Sequence, residues 1–224
     1  LGYKATQYIA TRFVEGVPAM EANLLAFRDA GHEIGSHSVN HDDLTTLTPA
    51  QLDYELAHSR DYLRGLTGQK ICGFALPFGL YNREVIDAVM SYYRSNRTVD
   101  AGYNSRDRLA SNRILVQNLA KDTALAEYRS WLDQAKADNT WLVLVYHRVT
   151  DTEMNPYDTH IADFDDQMQA LSDSGIEVKP MNEVLNELTV PRIGSIGPNR
   201  GPYGSRVTLE GEDFGCERGS STVT

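Results

Sequence analysis

The chain has 224 residues, 41% hydrophobic and 23% charged, a balance that gives one or two globular domains with an ordinary core and excludes a largely disordered polypeptide. Its formal net charge of −10 argues against nucleic acid and anionic membrane surfaces as partners, because both require clustered Lys and Arg. No window approaches the ~20 apolar residues of a membrane-spanning helix.

Leu1-Gly2-Tyr3-Lys4 reads as the end of a helix running into a strand, so a segment upstream of Leu1 is expected. Ala5 to Ala10 follows as a strand. Ala19 to Ala30 carries Leu24 and Phe27 at helical spacing and stops at Gly31. Glu33 to Ser36 is a short strand. Thr48-Pro49-Ala50-Gln51 forms a helix start with a capping Thr, a Pro in the first turn and a Gln that completes a capping box. That helix runs to about Leu66. The strand Ile71 to Leu76, the helix Asn82 to Met90 and the strands Tyr93 to Val99 and Ile114 to Asn118 come next. A helix from Ala124 to Ala137, capped by Thr123, leads to the most apolar run, Trp141 to Tyr146. A helix over Asp163 to Ser172, a strand over Ile176 to Val178 and a helix over Asn182 to Leu188 complete the pattern. Alternating strands and helices imply a parallel sheet covered by helices, open or closed into a barrel.

The composition changes near Val190-Pro191. Gly and Pro become frequent, and Val207 to Gly211 alternates as a strand, so a domain boundary is placed there. Cys72, in an apolar run, reads as a buried free thiol. Cys216 falls in the other region, and no bridge between the two is expected.

Three features carry chemistry. His37 and His41 lie four residues apart, a spacing that lets two imidazoles converge on one metal ion if the segment is helical or tightly turned. They follow a strand, and sites in α/β folds are built at strand C-termini. His147 ends the buried run Val143 to Tyr146, where a histidine can act as a general acid or base. Pro77-Phe78-Gly79 makes a sharp turn at a third strand end, where a backbone N–H can face a reacting oxygen.

Together these resemble a known family. Gly31-His32-Glu33-Ile34-Gly35-Ser36-His37-Ser38-Val39-Asn40-His41 is similar to the metal-binding motif of polysaccharide deacetylases, carbohydrate esterase family four. Pro77-Phe78-Gly79 resembles the end of that family's third motif, and Val145-Tyr146-His147 its fifth. The resemblance runs over residues 1–189 and implies a distorted, incomplete (β/α) barrel. It implies Zn2+, or another divalent transition metal, on His37 and His41. It implies His147 as the acid for the leaving amine, the Phe78 N–H as an oxyanion donor, and Pro77 and Val145 beside the substrate. The implied reaction removes N-acetyl groups from a glucosamine-containing polysaccharide, at the cell surface or outside the cell. An O-acetyl xylan esterase and a catalytically inactive glycan-binding barrel are the alternatives.

The family's Thr-Phe-Asp-Asp motif, source of the third metal ligand and the base, does not occur in the sequence, so this chain alone is expected to be inactive. Phe164-Asp165-Asp166 imitates it but sits in a helical pattern. Ala75 replaces a family Arg that orients the catalytic Asp, and Arg97 is the candidate to supply the charge. The fourth motif has no match; Asp100 is the residue nearest to it. Residues 190–224 resemble the start of an IPT/TIG immunoglobulin-like domain, carried by Ile196-Gly197-Pro198-Asn199, Gly204 to Leu209 and Phe214-Gly215.

Overall fold

The computed structural model describes residues 2–152, 155–189, 192–198, 200–202, 204 and 206–212. Six parallel strands form one sheet in chain order: β1 (Thr6–Ile9), β2 (Glu33–Ser36), β3 (Gly73–Ala75), β4 (Ser95–Ala101), β5 (Ile114–Asn118) and β6 (Leu144–Val145). Helices fill most of the crossovers: α1 (Pro18–Asp29), α2 (Pro49–Thr67), α3 (Arg83–Tyr92) and α4 (Leu125–Ala137). Two more, α5 (Ile161–Ser174) and α6 (Met181–Leu188), follow β6. Each strand pairs with the next in sequence, and among the described residues β1 and β6 remain edges, so the sheet is a half-barrel.

Helix α2 shows why these residues fold this way. Thr48 accepts from the Gln51 N–H, the Gln51 side chain returns to the Thr48 backbone, and Gly68 ends the helix at φ 69°. Leu52, Leu56 and Leu63, at helical spacing, point inward and pack with Phe74 and Ile34 from the sheet. At about 25 cal/mol per Å² of apolar surface removed from water, such side chains each contribute roughly 1.5–3 kcal/mol.

The other sheet face is layered. Tyr8 lies opposite Gly35 in the β1–β2 register. A Cβ at Gly35 would stand 2.6 Å from the Tyr8 ring, and one at Gly73 3.2 Å from its hydroxyl, so the two glycines make room for the phenol across three strands. Two residues further along each strand, on the same face, come His37, Ala75 and Arg97.

Several expectations are corrected. The strands expected over Ile71–Leu76 and Trp141–Tyr146 are regular only over Gly73–Ala75 and Leu144–Val145, although Cys72, Leu76 and Val143 also make backbone bonds to the neighbouring strands. Trp141 instead bridges antiparallel to Asn104, with both backbone bonds made. Thr123 does not cap α4; its hydroxyl accepts from the Ala120 N–H, and Ala124 takes the cap position without a side-chain bond. Ile176–Val178 is not a strand: it pairs with no strand among the described residues, and the Ile176 N–H goes to Ser174 Oγ. Cys72 is buried, but it is disulfide-bonded and not a free thiol. Asp165 and Asp166 are exposed on α5, as helix surface charges should be.

Beyond α6, β7 (Arg192–Gly197) and β8 (Thr208–Glu212) form a separate antiparallel pair. This pair is all that is described of the immunoglobulin-like expectation; Asn199, Ser205, Phe214, Gly215 and Cys216 lie outside the described residues.

Candidate metal centre and active site

The histidine pair converges through a turn and not through a helix. Ser38 and His41 adopt left-handed backbone conformations, φ 68° and 59°, and the His41 N–H donates to Ser38 Oγ at 2.9 Å. Two positive-φ residues without a helix ladder need outside support. It comes from two directions. Beyond β1, the N–H groups of Thr11 and Arg12 donate to the carbonyls of Ser38 and Val39. From α2, the buried Glu55 carboxylate accepts from the backbone N–H of Val39 and of Asn40, both at 2.8 Å, and from the Asn40 amide. Glu55 was not singled out in the sequence. The available signal was a carboxylate inside the apolar stripe Leu52-Leu56-Ser59-Leu63, where an exposed charge does not belong.

The imidazoles of His37 and His41 meet edge to face with centroids 4.6 Å apart. His37 Nδ1 lies 2.7 Å from the Ala75 carbonyl. A carbonyl only accepts, so Nδ1 carries the proton and Nε2 keeps its lone pair, the tautomer a metal ligand needs. Burial, with the Arg97 charge second, pushes the His37 pKa down to about 3, so the ring is neutral at physiological pH. The pair therefore fits two positions of a divalent metal centre. No group of three or more His, Cys, Asp or Glu side chains converges among the described residues, so these two nitrogens are the donors this region contributes.

Phe78 closes one side. It sits at φ 56° in the turn after β3, is 61% exposed, and sets its ring edge to face against His41 at 4.5 Å. The strain of that turn is shared with Gly79, at φ 71°, where a Cβ would lie 2.0 Å from Val99 Cγ2. His147, beyond β6, stands at the rim of the same sheet end with its ring 5.4 Å from Tyr157. Desolvation and the Arg97 charge lower its proton affinity, and Asp158 opposes them. Arg97 is thus near both His37 and His147. Pro77 and Val145 are buried, Val145 in an apolar cluster with Val143, Ile114 and Met181.

Asp100 accepts from the Tyr81 hydroxyl at 2.7 Å. The carboxylate that acts on His147 is Asp158, which is fully buried and bonded to Arg148 Nη2 at 2.7 Å and the Asn155 N–H at 2.9 Å. It comes from the loop after His147 and not from the stretch before β5 where the family motif would place it. Sequence spacing gave no signal for it.

An α/β half-barrel with a histidine pair and a third histidine at its strand ends defines the class. Residues 1–93, which contain His37, His41 and Phe78, match the sequence model of the polysaccharide deacetylase family. The uncharacterized Bacillus subtilis protein YlxY is 37% identical over 83 residues, 36% of this chain and 26% of its own length. The chain thus spans well under two thirds of that relative. The Xyl-CE4 domain of a multidomain xylanase from the hindgut metagenome of Trinervitermes trinervoides superposes with a TM-score of 0.59 at 14% identity, covering 83% of this chain and 78% of that one. A CE4-family pseudoenzyme from Bacillus anthracis superposes at 0.55 with 19% identity, covering 83% of this chain and 56% of its own. The sequence match is to polysaccharide deacetylases, and the fold is the half-barrel of carbohydrate esterase family four.

Proposed function

We propose that this chain carries the metal-binding histidines of a metal-dependent hydrolase that removes N-acetyl groups from glucosamine-containing polysaccharide at or outside the cell surface. The observation that supports this most is the placement of His37, His41, Phe78 and His147 at one end of the sheet, the pair with a free Nε2 on His37 and the third histidine beyond β6. A divalent ion such as Zn2+ held by the pair supplies Lewis acidity toward the acetyl carbonyl. The rest falls to the chain. Ala75 fixes the His37 tautomer, Glu55 holds the loop that presents His41, and the Phe78 turn offers a rigid wall and a backbone donor beside it. His147 serves the leaving nitrogen: a ring of lowered proton affinity gives its proton up readily once charged. The base and third ligand are expected from a Thr-Phe-Asp-Asp segment.

Two other readings keep specific support. The fold's likeness to a domain of a xylanase favours O-acetyl xylan as substrate. Ala75, where the family has Arg, and the likeness to a pseudoenzyme favour a barrel that binds glycan without turning it over. Acetate release decides among them. It is measured from N-acetylglucosamine oligomers and from O-acetyl xylan, with and without zinc, on this chain and on a form lengthened upstream by a strand and helix. Zinc-dependent release from the oligomers by the lengthened form, lost in His41→Ala, is the expected result. Release from xylan alone selects the esterase, and zinc-free glycan binding without release selects the inactive barrel.

A further inference from the structure

A cavity of about 280 Å³ opens beside the histidine loop, between Asn40 and Asp42 on one side and the first turns of α2 on the other. Asn40 and Asp42 flank His41, so the cavity begins one residue from the metal pair. Its volume is at the low end for ligand sites and gives room for one sugar unit. Tyr54 supplies an aromatic wall. Its ring stacks on His58 with centroids 5.0 Å apart at 19°, and His58 stacks in turn on Tyr62 at 6.4 Å and 15°. Bonds from His58 to Glu15 at 2.9 Å and from the Tyr62 hydroxyl to Glu21 at 2.8 Å hold the stack in place. His58 lies one turn further along α2 and covers one face of the Tyr54 ring. A helical side chain leans over the turn before its own Cα, so the other face looks toward Ala50 and Gln51, which line the same cavity.

The polar lining suits a cation. Asp42 is exposed and forms no hydrogen bond or ion pair among the described residues. The Asn40 amide nitrogen is held by Glu55, which leaves the amide oxygen as an acceptor. The Gln51 oxygen is held by Thr48, which leaves the amide nitrogen as a donor. Among the described residues no Lys or Arg lines the cavity; Arg12 donates to the Asn40 carbonyl and stands over Phe13.

We propose that this cavity is an amino-sugar subsite that takes a glucosamine unit with a free amine, the pyranose on the open face of Tyr54 and the ammonium on Asp42. The choice of sugar rests on the proposed action on glucosamine polymer. The charge complementarity is the cavity's own: a carboxylate without a partner, an amide acceptor and an electron-rich ring face all attract an ammonium group. An N-acetylated unit offers none of that charge. A unit already deacetylated is therefore held beside the metal pair, and in the lengthened form a partly deacetylated oligomer releases acetate faster than a fully acetylated one.

The test is calorimetric titration of the full chain in EDTA with the glucosamine tetramer and with the N-acetylglucosamine tetramer. The glucosamine form is expected to bind roughly 3–10-fold more tightly, the combined effect of an exposed charge pair and a cation on an aromatic face. Added salt shrinks that preference. Asp42→Asn removes it. Tyr54→Ala weakens the binding of both oligomers, whereas Tyr54→Phe keeps the ring and binds as the wild type does. Both side chains are exposed, and circular dichroism verifies that each variant is folded. His41→Ala keeps the preference, because the metal pair takes no part in holding the amine. Equal binding of the two oligomers, tighter binding of the acetylated one, or no binding of the glucosamine tetramer overturns the inference. So does a preference that survives Asp42→Asn and Tyr54→Ala, or one that is lost in His41→Ala. Zinc is absent throughout, so the result is independent of acetate release. Release without an amine preference removes the subsite and leaves the deacetylase reading standing; an amine preference without release keeps the subsite and removes that reading.

Discussion

Glu55 bonds Asn40 twice, through the backbone N–H at 2.8 Å and through the side-chain amide at 2.6 Å, and so fastens the histidine loop to α2. With the Val39 N–H as third donor, one buried carboxylate satisfies groups on consecutive residues of a loop that has two positive-φ positions. Glu55→Ala leaves two backbone donors and an amide without an acceptor in a buried place. The expected loss is about 3 kcal/mol in urea denaturation. Zinc affinity is expected to fall roughly 10–100-fold, the range for residues that orient metal ligands. Glu55→Gln keeps one acceptor oxygen and should cost about 1 kcal/mol. Equal stability of wild type and Glu55→Ala would show that the loop holds its own shape.

Gly79 is the tightest point of the turn that carries Phe78. Its φ of 71° disfavours any side chain, and Val99 fills the space a Cβ would need. Gly79→Ala combines a left-handed penalty with overpacking and should lose about 2–4 kcal/mol. The steric part is separable. In the double variant Gly79→Ala, Val99→Ala the second change should cost less than it does alone, a coupling that a double-mutant cycle reads directly. Additive losses would mean that the strain is all in the backbone.

The alternation of strands and helices was legible because the apolar runs keep their periods and α2 carries its own start and stop, Thr48 with Gln51 and the closing Gly68, whereas α1 and α4 begin without a side-chain cap. The histidine pair was legible as a pair, from its spacing and its place after β2. Its geometry was not, since spacing of four suggests a helix and the chain uses positive φ at Ser38 and His41. Tertiary partners were the least legible. Glu55 acts across the loop between β2 and α2, Tyr8 lies over Gly35 and Gly73, and the charge of Asp158 acts on His147 from a loop further along the chain; none of these relationships leaves a local pattern. Arg97 was visible as a spare charge near Ala75, and the register shows why: the two residues are direct neighbours across β3 and β4.

Asp158 gives the acid side of the pH dependence. Its hydrogen bonds from Arg148 and the Asn155 N–H hold its carboxyl below the usual carboxylate range. A folded-state pKa below the unfolded one means that the unfolded chain takes up the proton first as pH falls. The stabilisation is therefore fully present above the unfolded value, near pH 4, and is lost as pH falls through the lower folded value. Asp158→Asn should lower the melting temperature at pH 7, and the gap to wild type should close below pH 4. A gap that stays constant to pH 2.5 would mean that the carboxylate charge contributes nothing and only its shape matters.

His147 and His41 should separate in a single pair of assays. His41 belongs to the metal pair, so His41→Ala should abolish tight zinc binding and acetate release together. His147 stands beyond β6 with its ring beside Tyr157 and not beside the pair. In the lengthened form, His147→Gln should leave zinc affinity within about twofold and reduce the rate constant for release by roughly 10²–10⁴, the usual contribution of a positioned acid or base. The loss should fall on kcat more than on KM, because the proton is needed at the leaving nitrogen and not for holding the sugar. Asp158→Asn should give a smaller fall in kcat, since it removes the charge that favours protonated His147 while the ring itself remains. If His147→Gln instead raised KM alone, His147 would be a sugar contact, and the proton for the leaving amine would have to come from elsewhere.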